Sequence, residues 1–207
     1  MNPRAYCSPR RSEDAARTRA RIVKAAATTL AAGRTMSLDA VAKKARVTRL
    51  TVYNQFGSRR ALLEVVFDDL AARGGLHRIP SVMASPDAHA ALQQIVAIFC
   101  DFWSGTPAAL VRLQGAAAGD AEFAASLRAR NERRRQLLTV LVNRMGERSP
   151  RRPGMVAEVV DTLFALTSFG FFSELTANGR SASAACCVIQ SLAMDVVGRA
   201  LPVERRD

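Results

Sequence analysis

Between Ser37 and Gly57 the chain spells two short helices with almost nothing between them, and few folds accept that arrangement. Ser37 is a good helix N-cap, and Leu38, Val41, Ala42 and Ala45 follow it at the i, i+3, i+4, i+7 spacing of a single helix face. Only Arg46 and Val47 intervene before Thr48, a second N-cap, opens a segment with Val52, Tyr53 and Phe56 on its inner side that closes at Gly57. Two helices of about eight residues joined by a turn of three or four have helix-turn-helix geometry. Upstream, Ile22, Ala26 and Leu30 recur every four residues until Gly33, a helix stop. Downstream, Ser58 caps a further helix whose Leu62, Leu63, Val66, Phe67 and Leu70 run to a break at Gly74 and Gly75.

Seating Leu38, Val41, Ala42, Val47, Val52 and Phe56 against Ile22, Ala26 and Leu30 turns Arg49, Leu50, Thr51 and Asn54 outward. Those side chains suit the major groove: Arg bonds guanine bidentately, Asn does the same to adenine, and Leu50 or the Thr51 methyl packs on a thymine methyl. Thr48 and Tyr53 carry hydroxyls suited to phosphate oxygens. Ser37 and Ser58 open helices whose N-termini attract anions, and Arg59, Lys43 and Lys44 add positive charge.

The charge of the chain supports a polyanionic partner. Residues 1–60 hold 14 basic and 3 acidic side chains, a net of +11 out of the +12 total, which leaves +1 for residues 61–207. A compact basic module joined to a neutral one points to nucleic acid. A membrane surface is disfavoured, because Ile22, Ala26 and Leu30 make only a narrow apolar stripe without Trp or Phe. The N-terminus has no apolar leader-like run, and stretches such as Ser181 to Met194 are too short to span a bilayer, so a cytoplasmic protein is expected. Cys7, Cys100, Cys186 and Cys187 lack metal-ligand or CxxC spacing and read as small buried hydrophobes; neither a metal nor a cofactor is expected. With two histidines, scattered acids, and neither a phosphate-cradling loop nor a nucleophile elbow, an enzyme is not expected.

An all-α fold of about nine helices follows from abundant Ala and Leu, 6% aromatic residues and long segments without Gly or Pro. Residues 1–16, with Pro3, Pro9, Arg10 and Arg11 and no periodicity, read as a basic flexible arm. The helix-turn-helix domain occupies residues 17–63, and residues 64–207 form a larger helical bundle. After a Gly, Pro and Ser-rich connection between Gly74 and Pro86, helices are predicted near 87–103, 107–117, 120–146, 153–178 and 182–200. Arg128, Arg130 and Arg133 to Arg135 are expected on a solvated face. The 153–178 segment is apolar nearly all round, and the last helix has a wide face of Ala185, Val188, Ile189, Leu192, Ala193, Val196, Val197 and Ala200. A partner subunit is the simplest cover for both, giving a homodimer that pairs two recognition helices on a palindromic double-stranded DNA operator.

The stretch from Arg17 to Leu63 resembles the tetracycline-repressor (TetR) family of transcriptional regulators, with RARIVKAA in the first helix and LDAVAKKARVTRLTVYNQFGSRRALL after it. The resemblance covers about a quarter of the chain. It implies phosphate contacts at Thr48 and Tyr53, a basic residue opening the fourth helix at Arg59, and a recognition surface from Arg49 to Asn54. It also implies a four-helix dimer interface from the two C-terminal helices, and an apolar pocket in which a small-molecule effector shifts operator affinity. Candidate pocket residues are Phe99, Phe102, Trp103, Leu113, Phe123, Phe164 and Phe171, with Gln114, Asn131 and Ser168 as polar anchors. Three positions depart from the family pattern: Arg46 stands where a turn Gly is usual, Leu50 where a small residue is, and Gln55 where His or Tyr is common. A constitutive or architectural DNA binder without a ligand is the alternative.

Overall fold

A computed structural model describes residues 9–146 and 153–200. Residues 1–8 of the expected arm, Cys7 and the expected break at Ser149 and Pro150 lie outside them. The described residues form helices with no strand, as the composition requires. They fall into two compact units, one running up to Asp69 and including Ala108–Gly119, the other comprising Leu70–Pro107 and the chain from Asp120.

The first unit contains α1 (Pro9–Ala31), α2 (Leu38–Ala45), α3 (Arg49–Phe56), most of α4 (Arg59–Arg73) and α7 (Pro107–Ala118). Helix α1 starts eight residues before Arg17, where apolar periodicity begins. The reason is that residues 12–17 are exposed, so this part of the helix has no buried face to leave a periodic signal. Proline at the first helical position loses no hydrogen bond, and Asp14 pairs with Arg17 one turn on. The core is the expected one: Ile22, Ala26, Val41, Val52, Leu62, Leu63 and Val66 are wholly buried, with Leu38 and Val47 half-buried at its edge. Burying such side chains supplies roughly 1.5–3 kcal/mol each, which these short helices could not supply alone.

The second unit begins with a 3-10 turn (Leu76–Arg78) and α5 (Ile79–Met83), within the stretch expected to be a plain connection. It continues with α6 (Ala88–Gly105), α8 (Ala121–Met145), α9 (Met155–Leu166), α10 (Phe169–Thr176) and α11 (Ala182–Ala200). Asp87 and Asp120 cap α6 and α8 by accepting backbone N–H bonds. Helix α6 is central, packed by α5, α8, α10 and α11. Gly74 marks a close approach as well as a break, because a Cβ there would lie 2.6 Å from the Phe102 backbone.

Two expectations are corrected in this unit. The segment 153–178 is not one helix: α9 and α10 meet at a 48° bend. The Ser168 hydroxyl accepts from Phe171 N–H and starts a new helix, while the Thr167 hydroxyl bonds back to the Leu163 carbonyl. The bend lets the chain bury Leu163, Leu166, Phe169 and Phe172 within itself, leaving Ala157, Glu158, Asp161, Thr162 and Ala165 on the exposed side of α9. Its apolar character therefore no longer demands a partner subunit. Nor is Arg134 on a solvated face: it is only 7% exposed, and its Nη1 donates to the Thr167 carbonyl at 2.6 Å. The Trp103 indole N–H donates to the same oxygen at 3.1 Å.

Candidate nucleic-acid interface

Helix α2 opens as its residues dictate, with the Ser37 hydroxyl accepting from Ala40 N–H at 3.1 Å. It ends at Arg46, whose φ of 52° and ψ of 50° make it left-handed and whose N–H bonds back toward Ala42 and Lys43. Among the described residues Arg46 is the one non-glycine with positive φ. An L side chain there costs roughly 1–2 kcal/mol, a cost a glycine would avoid.

Thr48 then caps α3, accepting from Thr51 N–H at 3.0 Å, and its hydroxyl lies 2.8 Å from that of Thr51. The two hydroxyls form a local pair at the helix entrance. Val52 and Phe56 face inward and are buried. On the opposite side Arg49, Leu50, Tyr53 and Asn54 are exposed, Leu50 at 66% and Tyr53 at 56%. Tyr53, placed by spacing toward the core and by the resemblance on a phosphate, stands on this outer face. Arg49 lies 3.6 Å from Asp39 of α2, an exposed pair of small energetic weight that still biases where the guanidinium rests.

The C-terminal end of α3 is held from α1. Arg19 donates to the Gln55 carbonyl at 2.8 Å and stacks its guanidinium 4.3 Å over the Phe56 ring. Ser58 caps α4 through Ala61 N–H, and Arg59 Nε donates to the Met36 carbonyl at 2.8 Å, tying α4 to the α1–α2 connection. Arg59 thus has a structural bond besides any it offers to a phosphate. Periodicity missed Arg19 and Asp39, because both act through a single long-range contact that leaves no repeating pattern.

The second unit joins some of the expected pocket residues. Phe99, Phe102 and Trp103 form one aromatic cluster, with ring centroids 6.0 Å (Phe99–Trp103) and 4.5 Å (Phe102–Trp103) apart, and Phe169 adds to it at 5.6 Å from Trp103. The half-buried Phe164 meets Phe99 through Arg134, whose guanidinium lies 4.2 Å and 5.7 Å from the two rings respectively. Phe123 is wholly buried, Phe171 half-buried, and Ser168 is the α10 cap. Asn131 is exposed on α8. Leu113 and Gln114 fall on α7 and belong to the first unit, Leu113 buried and Gln114 exposed. Phe102 also borders a cleft of about 470 Å³ with Arg73, His77, Arg78 and Asp101. Among the described residues no cluster of His, Cys, Asp or Glu could hold a metal, and no single helix is long and apolar enough to cross a membrane.

A helix-turn-helix unit with an exposed second helix, followed by an all-helical unit, defines a two-unit helix-turn-helix architecture. Solved structures share that architecture. A TetR transcription regulator from Haloarcula marismortui matches with a TM-score of 0.72 at 15% identity, over 90% of this chain and 99% of that one. A putative TetR-family regulator from Mesorhizobium loti matches at 0.63 and 16% identity, over 90% and 96%. The TetR-like regulator LfrR from Mycobacterium smegmatis, solved in complex with proflavine, matches at 0.55 and 24% identity, over 87% and 96%. No family model and no curated protein sequence matches. The chain has the TetR-regulator fold, as the resemblance of Arg17 to Leu63 implied, and the likeness covers far more than that quarter of the sequence.

Proposed function

We propose that this protein is a sequence-specific DNA-binding transcriptional regulator, a repressor that leaves a palindromic operator when a small effector binds its second unit. The observation that carries the reading is the outer face of α3, where Arg49, Leu50, Tyr53 and Asn54 stand exposed on a helix capped at one end and tethered at the other. A solvated helix has no need of Leu and Tyr at such exposure, whereas a groove-reading helix does. In this reading Arg49 and Asn54 address guanine and adenine, while Leu50 and the Thr51 methyl meet thymine methyls. Tyr53, Thr48, Ser37 and Arg59 hold phosphates. Two copies pair through the C-terminal helices, presenting two α3 helices about one DNA turn apart. The effector site is drawn from the aromatic residues around Trp103. The matched structures are those of transcriptional regulators, which supports a regulatory rather than an enzymatic role.

The test is selection of bound sequences from a random duplex library, followed by fluorescence binding of the selected site over a salt series. Enrichment of a palindrome, with affinity lowered by about 1–3 kcal/mol in Arg49→Ala, supports the reading. Equal binding to random DNA, indifferent to Arg49→Ala, replaces it with an architectural role.

A further inference from the structure

Arg134 is a buried cation with no anion beside it among the described residues. No carboxylate of the described residues reaches it, and Asp161, the acid nearby in the fold, is engaged by Arg135. The one hydrogen bond it makes among the described residues is Nη1 to the Thr167 carbonyl, an acceptor it shares with Trp103. Its Nε is buried and has no hydrogen-bond partner among the described residues. The surroundings do not repair this: the rings of Phe99 and Phe164 lie on it, and the next charge is the like-signed Arg135, 4.3 Å from the same Phe164 ring.

Partial compensation comes from the end of α9, where Thr167 is the C-cap. A helix C-terminus carries roughly half a negative charge, against the full positive charge of the guanidinium. Ring faces add a modest attraction. An uncompensated ion in such a place is strongly disfavoured, and a Met or Leu of similar volume would fill it without that penalty. What remains unengaged is the Nε edge of the guanidinium, the side that with Nη2 forms the planar fork complementary to a carboxylate.

We infer that Arg134 is an anion anchor, and that the small molecule taken by the second unit is an amphipathic acid, a carboxylate on an aromatic or alkyl body. The inference rests on the reading of that unit as effector-binding. The carboxylate pairs with the Nε edge, and the apolar body packs against the rings of Phe99 and Phe164. A phosphate dianion fits less well, because its second charge would be desolvated among aromatic rings. A neutral ligand would leave the guanidinium unpaired, and a cation would add to two positive charges already present.

Trp103 is the only tryptophan in the chain and shares its acceptor with Arg134, so its fluorescence reports on this place. The full chain is titrated with 4-phenylbutyrate, 4-phenylbutyramide and 4-phenylbutylamine, and with octanoate against octanamide, up to about 10 mM, a range that reaches millimolar dissociation constants. Tryptophan emission and melting temperature are followed for the wild type, Arg134→Met and Arg134→Lys. The expected result is saturable binding of the carboxylates, at least about tenfold tighter than their amides or the amine, lost in Arg134→Met and weakened in Arg134→Lys, which keeps the charge without the fork. Equal binding of acid and amide, unaltered acid binding in Arg134→Met, or no binding by either acid overturns it. An uncharged or cationic probe that binds and releases DNA ends the anion inference while leaving the effector reading standing. Acid binding at Arg134 with no change in DNA affinity does the reverse.

Discussion

Two arginines sit where general rules would not put them. Arg46 holds a left-handed backbone that favours glycine, with its N–H bonded back to the end of α2. Arg46→Gly is expected to stabilise the protein by about 1 kcal/mol in urea unfolding, somewhat less than the full relief because glycine also gains freedom in the unfolded chain. Arg134 is penalised by burial first and by Arg135 second, which lowers its pKa from the ordinary guanidinium range to about 10. The unfavoured state is the protonated one, so the penalty is fully present at neutral pH and is relieved only as pH rises through about 10 toward the unfolded value. Arg134→Met should therefore melt no lower than the wild type at pH 7, and the difference between the two should shift in the wild type's favour between pH 9.5 and about 11. A melting temperature many degrees lower for the variant at pH 7 would make Arg134 a structural residue.

At the scale of elements, α3 has too few residues to persist alone and is held by its ends. Thr48 satisfies the first turn, and Arg19 takes the Gln55 carbonyl near the last. Arg19→Ala removes a hydrogen bond and a cation–π contact together and is expected to cost about 1–2 kcal/mol, read from a denaturant midpoint, with the exposed face of α3 unaltered in composition. The capping residues Ser37, Thr48 and Ser58 and the apolar spacing of α2 were legible from the sequence because each obeys a local rule. The outward placement of Tyr53 was not legible from spacing, since a tyrosine there serves a core as well as a surface; its hydroxyl and the family resemblance, with its phosphate contact, pointed outward. The break between α9 and α10 was hidden in the same way: Thr167 and Ser168 are compatible with a continuous apolar helix, and only Trp103 and Arg134, each over thirty residues away, make the Thr167 carbonyl a junction. Long-range acceptors of this kind have no periodicity to read.

For the whole molecule, the +11 charge of residues 1–60 predicts DNA affinity that falls steeply with salt, with roughly one unit of log–log slope per neutralised phosphate. Asp39 is the one acid between Arg17 and Arg60, and it stands beside Arg49. Asp39→Asn is expected to raise affinity for any duplex several-fold at low salt and to narrow the gap between operator and random DNA, measured by competition binding. The side chains that hold α3 in place, Thr48, Val52, Phe56 and the distant Arg19, are different from those it displays, Arg49, Leu50, Tyr53 and Asn54. The displayed four can therefore change without loosening the helix. Under the proposed function, such a chain is free over evolutionary time to drift from one DNA address to another by single substitutions, each passing through a folded intermediate.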